Sequence, residues 1–234
     1  MTLPKISIII VTYNAASTLQ ACLDSIYRQK YAAIEIVVID GESTDGTIDI
    51  IKQNAGSLGY WVSEKDAGIY DAMNKGLKHA TGQWIYFLGA DDILFDGFSD
   101  LAIELKDKKL IYYSRVMTLG GPTIPANAYD FAKYGLCHQA MIYPREVFEG
   151  REFDTRYPIS ADYAFNMALF NSGQFRFVFK DHLVANFNQT GVSSTSIDKV
   201  FEQDRSALVK KHFGSKIWLR FLFWRFKKGL KKKR

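Results

Sequence analysis

Ile6-Ser7-Ile8-Ile9-Ile10-Val11-Thr12-Tyr13-Asn14 stands close to the start of the chain, and its pattern sets how the rest is read. From Ile6 to Val11 the run is β-branched apart from one serine. It keeps no polar face for water, which predicts a strand buried on both sides, as in a parallel sheet. Leu19, Cys22, Leu23 and Ile26 then recur at helical spacing. The unit repeats: Ile34 to Ile39 reads as a second buried strand, Ser43-Thr44-Asp45-Gly46 as a turn and helix start, and Ile48 to Ile51 as the helix body. Tyr60 to Ser63 reads as a third strand and Ile69 to about Ala80 as a helix. Trp84 to Leu88 reads as a fourth strand, entered after the helix stop Thr81-Gly82. This alternation predicts an α/β fold, a Rossmann-like, mostly parallel sheet with helices on both faces. Beyond Phe98 it loosens into a helix to about Lys106, a strand from Leu110 to Val116 and the loop Gly120-Gly121-Pro122. No internal repeat interrupts it.

With 234 residues, 47% of them hydrophobic and 15% aromatic, the chain can bury one substantial core, which excludes a disordered or fibrous protein. The expected organisation is one domain over residues 1–215, divided into a nucleotide-binding half of about 1–97 and an acceptor half of about 98–215. A tail, 216–234, follows. The net charge of +5 belongs to that tail: it carries nine Lys or Arg and no acid, leaving residues 1–215 with 21 basic and 25 acidic groups. A body with a formal charge of −4 is not a nucleic-acid-binding domain, because tracking phosphates needs a positive folded face. Cys22 and Cys137 lack metal-ligand spacing and read as buried or free thiols, which suits a reducing compartment. No stretch is long and apolar enough to span a bilayer, and Met1 to Lys5 does not read as a signal peptide.

Open parallel sheets bind ligands at the carboxyl ends of their strands. Here those ends are acidic: Thr12-Tyr13-Asn14 after the first strand, Asp40 after the second, Glu64-Lys65-Asp66 after the third and Ala90-Asp91-Asp92 after the fourth. A single Asp in such a place also makes a turn or a helix cap. Several converging on one crevice repel one another unless a cation or hydrogen-bond donors share it. A nucleoside diphosphate with Mg²⁺ or Mn²⁺ offers both, with Asp91-Asp92 as the natural metal position, Asp40 facing a base or ribose, and Tyr13 covering the base.

Four segments together resemble the family 2 inverting glycosyltransferases with the GT-A fold. They are Ile8 to Asn14, Val37-Val38-Ile39-Asp40-Gly41-Glu42-Ser43-Thr44-Asp45-Gly46-Thr47, Asp66-Ala67-Gly68-Ile69-Tyr70-Asp71-Ala72-Met73-Asn74-Lys75-Gly76, and Tyr86-Phe87-Leu88-Gly89-Ala90-Asp91-Asp92. The resemblance implies that Thr12, Tyr13, Asp40 and Asp66 hold the nucleoside, Asp91 its ribose, and Asp92 a divalent metal, Mn or Mg, bridging the diphosphate. Many members carry an earlier Asp where this chain has Gly89. It also implies that Asp162, in the first turn of a helix opening at Ile159-Ser160-Ala161-Asp162, is the general base. Helix capping is the other role open to an acid there.

Cys137-His138-Gln139 resembles a His-Gln pair of related bacterial sugar transferases, with His138 and Gln139 near diphosphate or acceptor; local hydrogen bonding is the alternative. Phe187 to Ser194 resembles the family's late loop that closes over substrates, and a plain surface loop is its alternative. From the resemblance alone the expected donor is a uridine diphosphate sugar and the acceptor a lipid-linked saccharide of a bacterial surface polysaccharide. The tail mixes Trp218, Phe221, Phe223 and Trp224 with its basic residues, which predicts contact with an anionic membrane surface, placing the enzyme in the cytoplasm at the inner face. A polyprenyl-phosphate sugar synthase shares the first hundred residues' pattern. A non-catalytic protein using a basic tail would leave the acids unexplained, and a sugar-nucleotide pyrophosphorylase would need a Gly-rich basic loop where Thr12-Tyr13-Asn14 stands.

Overall fold

The computed structural model of the chain describes residues 3–188 and 196–231, with side chains described through Gly229. Strand β1 (Ile6–Thr12) is the centre of the first half. It pairs in parallel with β2 (Ile34–Asp40) on one side and with β4 (Trp84–Gly89) on the other, and β3 (Tyr60–Ser63) extends β2 in parallel. Ile6, Ser7, Ile8, Ile9 and Ile10 are all buried, so both faces of β1 are covered, as its composition requires. Helix α1 (Leu19–Tyr27) buries Leu19, Cys22, Leu23 and Ile26, the expected stripe. Helix α2 spans Thr47–Asn54. Helix α3 (Ile69–His79) lies directly on β1 and β2: a Cβ at Gly76 would sit 2.5 Å from Ile9 Cγ2, so only glycine permits that approach.

The second half continues the same sheet, in the order β3-β2-β1-β4-β8-β6-β9-β5. Here β5 is Ile93–Leu94, β6 Leu110–Thr118, β7 Gly121–Pro122, β8 Met141–Pro144 and β9 Arg176–Asn186, with α4 (Gly97–Ile103) packed beneath β9. Strand β8 is antiparallel to both β4 and β6, while β6 and β9 are parallel. The short β5, absent from the sequence expectation, pairs Ile93 with Asn186. Helices α5 (Ala128–Tyr134) and α6 (Ala161–Phe170) both pack against a last helix, α7 (Lys199–Lys231).

Helix α7 changes the expected division at residue 215. It breaks at Gly214, where φ is 77°. The two arms lie side by side: Trp218 Nε1 donates to Ser206 Oγ at 3.1 Å, and Arg225 reaches Glu202 at 3.4 Å. Phe221 is fully buried and belongs to the core, with Arg205 5.4 Å from its ring centroid. The inner side of the basic segment is thus part of the folded body. Its apolar residues run nearly all round the helix, so one side packs while another faces out.

Candidate functional site

Because the first four strands are parallel and in register, their carboxyl ends finish side by side: Thr12 opposes Asp40, Asp40 opposes Ser63, and Val11 opposes Gly89. A cavity of about 430 Å³ opens there, and Thr12, Tyr13, Asp66, Asp91, His138 and Gln139 all line it. The antiparallel β8 explains how residues from the second half arrive. It runs back along β4, so the turn just before it, His138–Ala140, lands at the carboxyl end of β4. A larger hollow of about 510 Å³ beside Lys78, Arg145 and Arg151 holds none of the expected residues.

One end of the cavity suits a planar ring. Tyr13 is 68% exposed. A Cβ at Gly41 would lie 2.6 Å from Asp66 Oδ2 and 3.5 Å from Tyr13 Cδ2, so the missing side chain is what keeps a slot between acid and ring. Asp66 Oδ1 accepts the Gly68 N–H at 2.8 Å, which fixes the carboxylate at the start of α3. Thr12 is 6% exposed, and its hydroxyl has no hydrogen-bond partner among the described residues. A buried orphan hydroxyl on a cavity wall is a group waiting for a ligand. The only non-glycine residues with positive φ among those described, Asn14 at 50° and Glu42 at 61°, sit in the loops after β1 and β2. Backbone held in that region gathers at binding sites. Asn14 Oδ1 accepts the Thr44 N–H at 2.9 Å, locking the two loops together. Asp40 itself does not reach the cavity. It is fully buried, with Oδ1 accepting the Ser43 hydroxyl at 2.5 Å and Oδ2 accepting the Ser43 N–H at 2.9 Å and the Ser63 hydroxyl at 2.6 Å.

Asp91 and Asp92 separate in the same way. Asp91 lines the cavity, whereas Asp92 is 1% exposed. Asp92 Oδ2 accepts the Gly89 N–H at 3.0 Å and the Gln139 amide at 2.8 Å, and Oδ1 accepts the Asn188 N–H at 2.8 Å. Burial raises its pKa against the pull of these donors. Gln139 is held in turn by the Cys137 thiol, which donates to its Oε1 at 2.7 Å. The two carboxylates still converge: the point where a Cβ of Gly89 would stand is 2.7 Å from Asp92 Oδ2 and 3.0 Å from Asp91 Oδ1. A cradle with carboxylate oxygens on two sides, in a cavity whose described lining contains no Lys or Arg, fits a divalent cation that accompanies a diphosphate. Among the described residues no group of three or more His, Cys, Asp or Glu forms a complete protein cage. Such a cation would therefore take its remaining ligands from phosphate and water.

Asp162 lies in the first turn of α6 and does not line the cavity. Its Oδ1 accepts the Tyr70 hydroxyl at 2.6 Å and the Tyr163 N–H at 2.8 Å, and its Oδ2 lies 3.3 Å from His138 Nδ1. It is not a plain helix cap, since its oxygens turn to α3 and to the His138 turn. Burial, together with the neighbouring carboxylate, holds the Tyr70 phenol well above its usual range, so it stays a donor. Tyr70 stands inside a quoted motif yet carries no role in the sequence reading; only the fold brings it 92 positions along to Asp162. Adjacent residues on one short turn thus touch both acids, His138 holding Asp162 and Gln139 holding Asp92. Phe187 and Asn188 line the cavity, while Gln189 to Ser194, the rest of the expected closing loop, lie outside the described residues.

The family profile of Glycosyl transferase family 2 matches residues 7–179. A PGL/p-HBAD biosynthesis glycosyltransferase of Mycobacterium bovis is 37% identical over 220 residues, covering 86% of this chain and 84% of its own. Among solved structures, Staphylococcus aureus TarS 1–349 in complex with UDP-GlcNAc superposes with a TM-score of 0.73 at 18% identity, covering 93% of this chain and 71% of that one. Mannosyltransferase PcManGT from Pyrobaculum calidifontis, in complex with GDP-Man and Mn2+, gives 0.63 at 21% identity, covering 90% and 63%. At these identities the two structures speak for the fold.

Proposed function

This chain belongs to glycosyl transferase family 2, and from that premise we propose that it moves a sugar from a UDP-linked donor to a hydroxyl of a lipid-linked saccharide, with inversion at the anomeric carbon. The observation that carries the reading is the cavity lining: an open tyrosine, an unpartnered threonine hydroxyl and carboxylates, with no Lys or Arg among the described residues. Tyr13 covers the base, Thr12 and Asp66 bond the nucleoside, and Asp91 faces the ribose and diphosphate. Asp40, from beneath, holds Ser43 and Ser63 and so the loop that carries Gly41. Asp91, backed by Asp92, would hold Mn²⁺ or Mg²⁺ over Gly89; when bound, the cation neutralises charge on the departing diphosphate. Asp162 is the source of basicity for the acceptor hydroxyl, which must lose its proton as its oxygen bonds the anomeric carbon.

Membrane attachment is part of the proposal. Leu219, Phe223 and Phe226 recur at i, i+4 and i+7 on the second arm of α7, and all are exposed. Exposed Lys216, Arg220, Lys227 and Lys228 surround them. No helix among the described residues is long and apolar enough to cross a membrane. An exposed apolar stripe bordered by basic groups suits the face of an anionic bilayer, where a lipid-linked acceptor resides.

The test is calorimetric binding and turnover across UDP-glucose, UDP-galactose, UDP-N-acetylglucosamine and GDP-mannose, with Mn²⁺, Mg²⁺ or EDTA. Metal-dependent binding of at least one UDP-sugar is expected. Binding that ignores EDTA, or none at all, would refute the reading. Mass spectrometry of the product separates a glycoside from a sugar ester of a lipid phosphate, which would favour a polyprenyl-phosphate synthase instead.

A further inference from the structure

We infer that a cavity between α5, α6 and the two arms of α7 binds a phosphate group, that of an anionic lipid headgroup. The inference rests on the membrane attachment proposed above, which it narrows from a charged surface to a built pocket, and it is independent of the sugar transfer.

The cavity, of about 290 Å³, is separate from the one at the strand ends, and Lys133, Arg205 and Lys228 all line it. They come from the end of α5, the first arm of α7 and the second arm, and their charged ends gather round one indole. Lys228 Nζ lies 5.2 Å, Lys133 Nζ 5.5 Å and Arg205 Cζ 5.9 Å from the Trp224 ring centroid. Like charges drawn together in this way repel one another unless an anion shares the site. The acids of the same lining are already engaged. Asp198 Oδ2 accepts the Ile159 and Ser160 N–H groups at 3.0 and 3.1 Å, and its Oδ1 accepts the Phe201 N–H at 2.9 Å. Glu202 pairs with Arg205 and, at 3.4 Å, with Arg225. Among the described residues no carboxylate pairs with Lys133 or Lys228, whose ammonium groups meet aromatic rings instead. Arg205 Nε is buried without a hydrogen-bond partner among the described residues. Ser160, which precedes α6 and also lines the cavity, spends no side-chain bond on capping that helix. Two ammonium groups, a guanidinium and a hydroxyl are a donor set for phosphate oxygens.

The neighbourhood of the cavity decides where the phosphate comes from. Trp224 and Lys228 belong to the second arm of α7, on which Phe223 and Phe226 stand 60% and 64% exposed. Such an apolar stripe seats at the boundary between headgroups and acyl chains, and an indole is favoured at the same depth. A phosphate beside Trp224 is then held at the level where a bilayer presents its own. The volume is at the small end for ligand cavities, which suits a headgroup and not a whole lipid.

The experiment compares wild type, in the full chain, with Lys133→Gln/Lys228→Gln, with Lys133→Arg/Lys228→Arg, and with Lys216→Gln/Lys227→Gln, which removes the same charge outside the cavity. Glutamine keeps most of the apolar stem that packs on the rings. Sedimentation with vesicles of phosphatidylglycerol in phosphatidylcholine is measured at low salt and at about 0.5 M, where screening leaves only close contacts. At high salt the inner glutamine pair should lose about tenfold or more in vesicle affinity, the scale of hydrogen bonds to a charged group. The outer pair should lose less than about threefold there, and the arginine pair should stay near wild type. Calorimetry with monomeric dihexanoyl phosphatidylglycerol should show a saturable site that the inner glutamine pair lacks, with sodium phosphate binding more weakly. Equal loss in the inner and outer pairs at high salt would overturn the pocket and leave a diffuse basic surface. Sodium phosphate binding as tightly as the lipid would overturn the headgroup as its source. Melting temperature and UDP binding with Mn²⁺ should be unchanged in the inner glutamine pair, and a fall in both would overturn the lipid role in favour of a structural one. Wild type that does not sediment at either salt would strike the membrane attachment itself and this inference with it, whereas UDP binding by the same protein reports on the transfer reading separately.

Discussion

Replacing Asp92 with Asn keeps size and shape but removes an acceptor. In the wild type, two carboxylate oxygens take three N–H donors, from Gly89, Gln139 and Asn188. An amide has one accepting oxygen. Placed at Oδ2 it keeps Gly89 and Gln139 and turns its NH₂ toward the Asn188 N–H; placed at Oδ1 it keeps only Asn188. The better orientation leaves one buried donor without its partner, which costs about 1–3 kcal/mol. For a chain of this size each kcal/mol lowers Tm by roughly 2–4 °C, so a fall of about 2–12 °C in differential scanning fluorimetry is expected. Metal-dependent UDP binding should weaken in the same variant, because Asn188 leaves its anchor and the cradle over Gly89 loses a charge. A pH series adds a sign. Burial raises the Asp92 carboxyl above its usual 3.8, so the folded state holds that proton more tightly than the unfolded chain. That contribution is fully present below 3.8 and is lost as pH rises through the raised value, so wild type should lose stability relative to Asp92→Asn on that rise. An Asn variant that melts like wild type while losing all metal-dependent binding would refute the reasoning. Asp92 would then be a free metal ligand and not an internally bonded anchor.

Phe221→Ala should cost about 3–5 kcal/mol in urea unfolding, as for a fully buried aromatic, whereas an isolated tail would lose nothing measurable. Gly41→Ala places a methyl 2.6 Å from Asp66 Oδ2, the movable end of a side chain; Tm should hardly change while UDP affinity measured by calorimetry falls, and unchanged affinity would remove Asp66 from the nucleoside site. Leu219→Ser/Phe223→Ser/Phe226→Ser changes three exposed residues, so it should abolish sedimentation with phosphatidylglycerol liposomes while leaving Tm and UDP binding intact; sedimentation like wild type would refute the membrane stripe.

Local pattern carried the first half of the sheet. The apolar run of β1, the stripe of α1 and the acids after each strand depend on neighbours a few residues away, and periodicity records such neighbours directly. Tyr13, Asp66 and Asp91 are thus legible as cavity residues, and Thr12 as well, though not that its hydroxyl would be left unpaired. Which acids line the cavity was not legible. Asp40 and Asp92 stand in the same kind of position as Asp66 and Asp91, but Ser63 and Gln139, brought up from 23 and 47 positions away, close over them. The His138 to Asp162 contact needs β8 to run antiparallel to β4, and strand direction leaves no mark in a four-residue run. The tail reads as a surface segment because its basic residues dominate its composition. Only the turn at Gly214 determines that Phe221 faces Arg205 while Phe223 faces water. The sequence by itself determined the sheet, the edge that carries the cavity and the kinds of side chain placed there. Which of those side chains are spent on one another and which are left for a substrate was decided by tertiary structure, because that pairing depends on contacts distant in the chain.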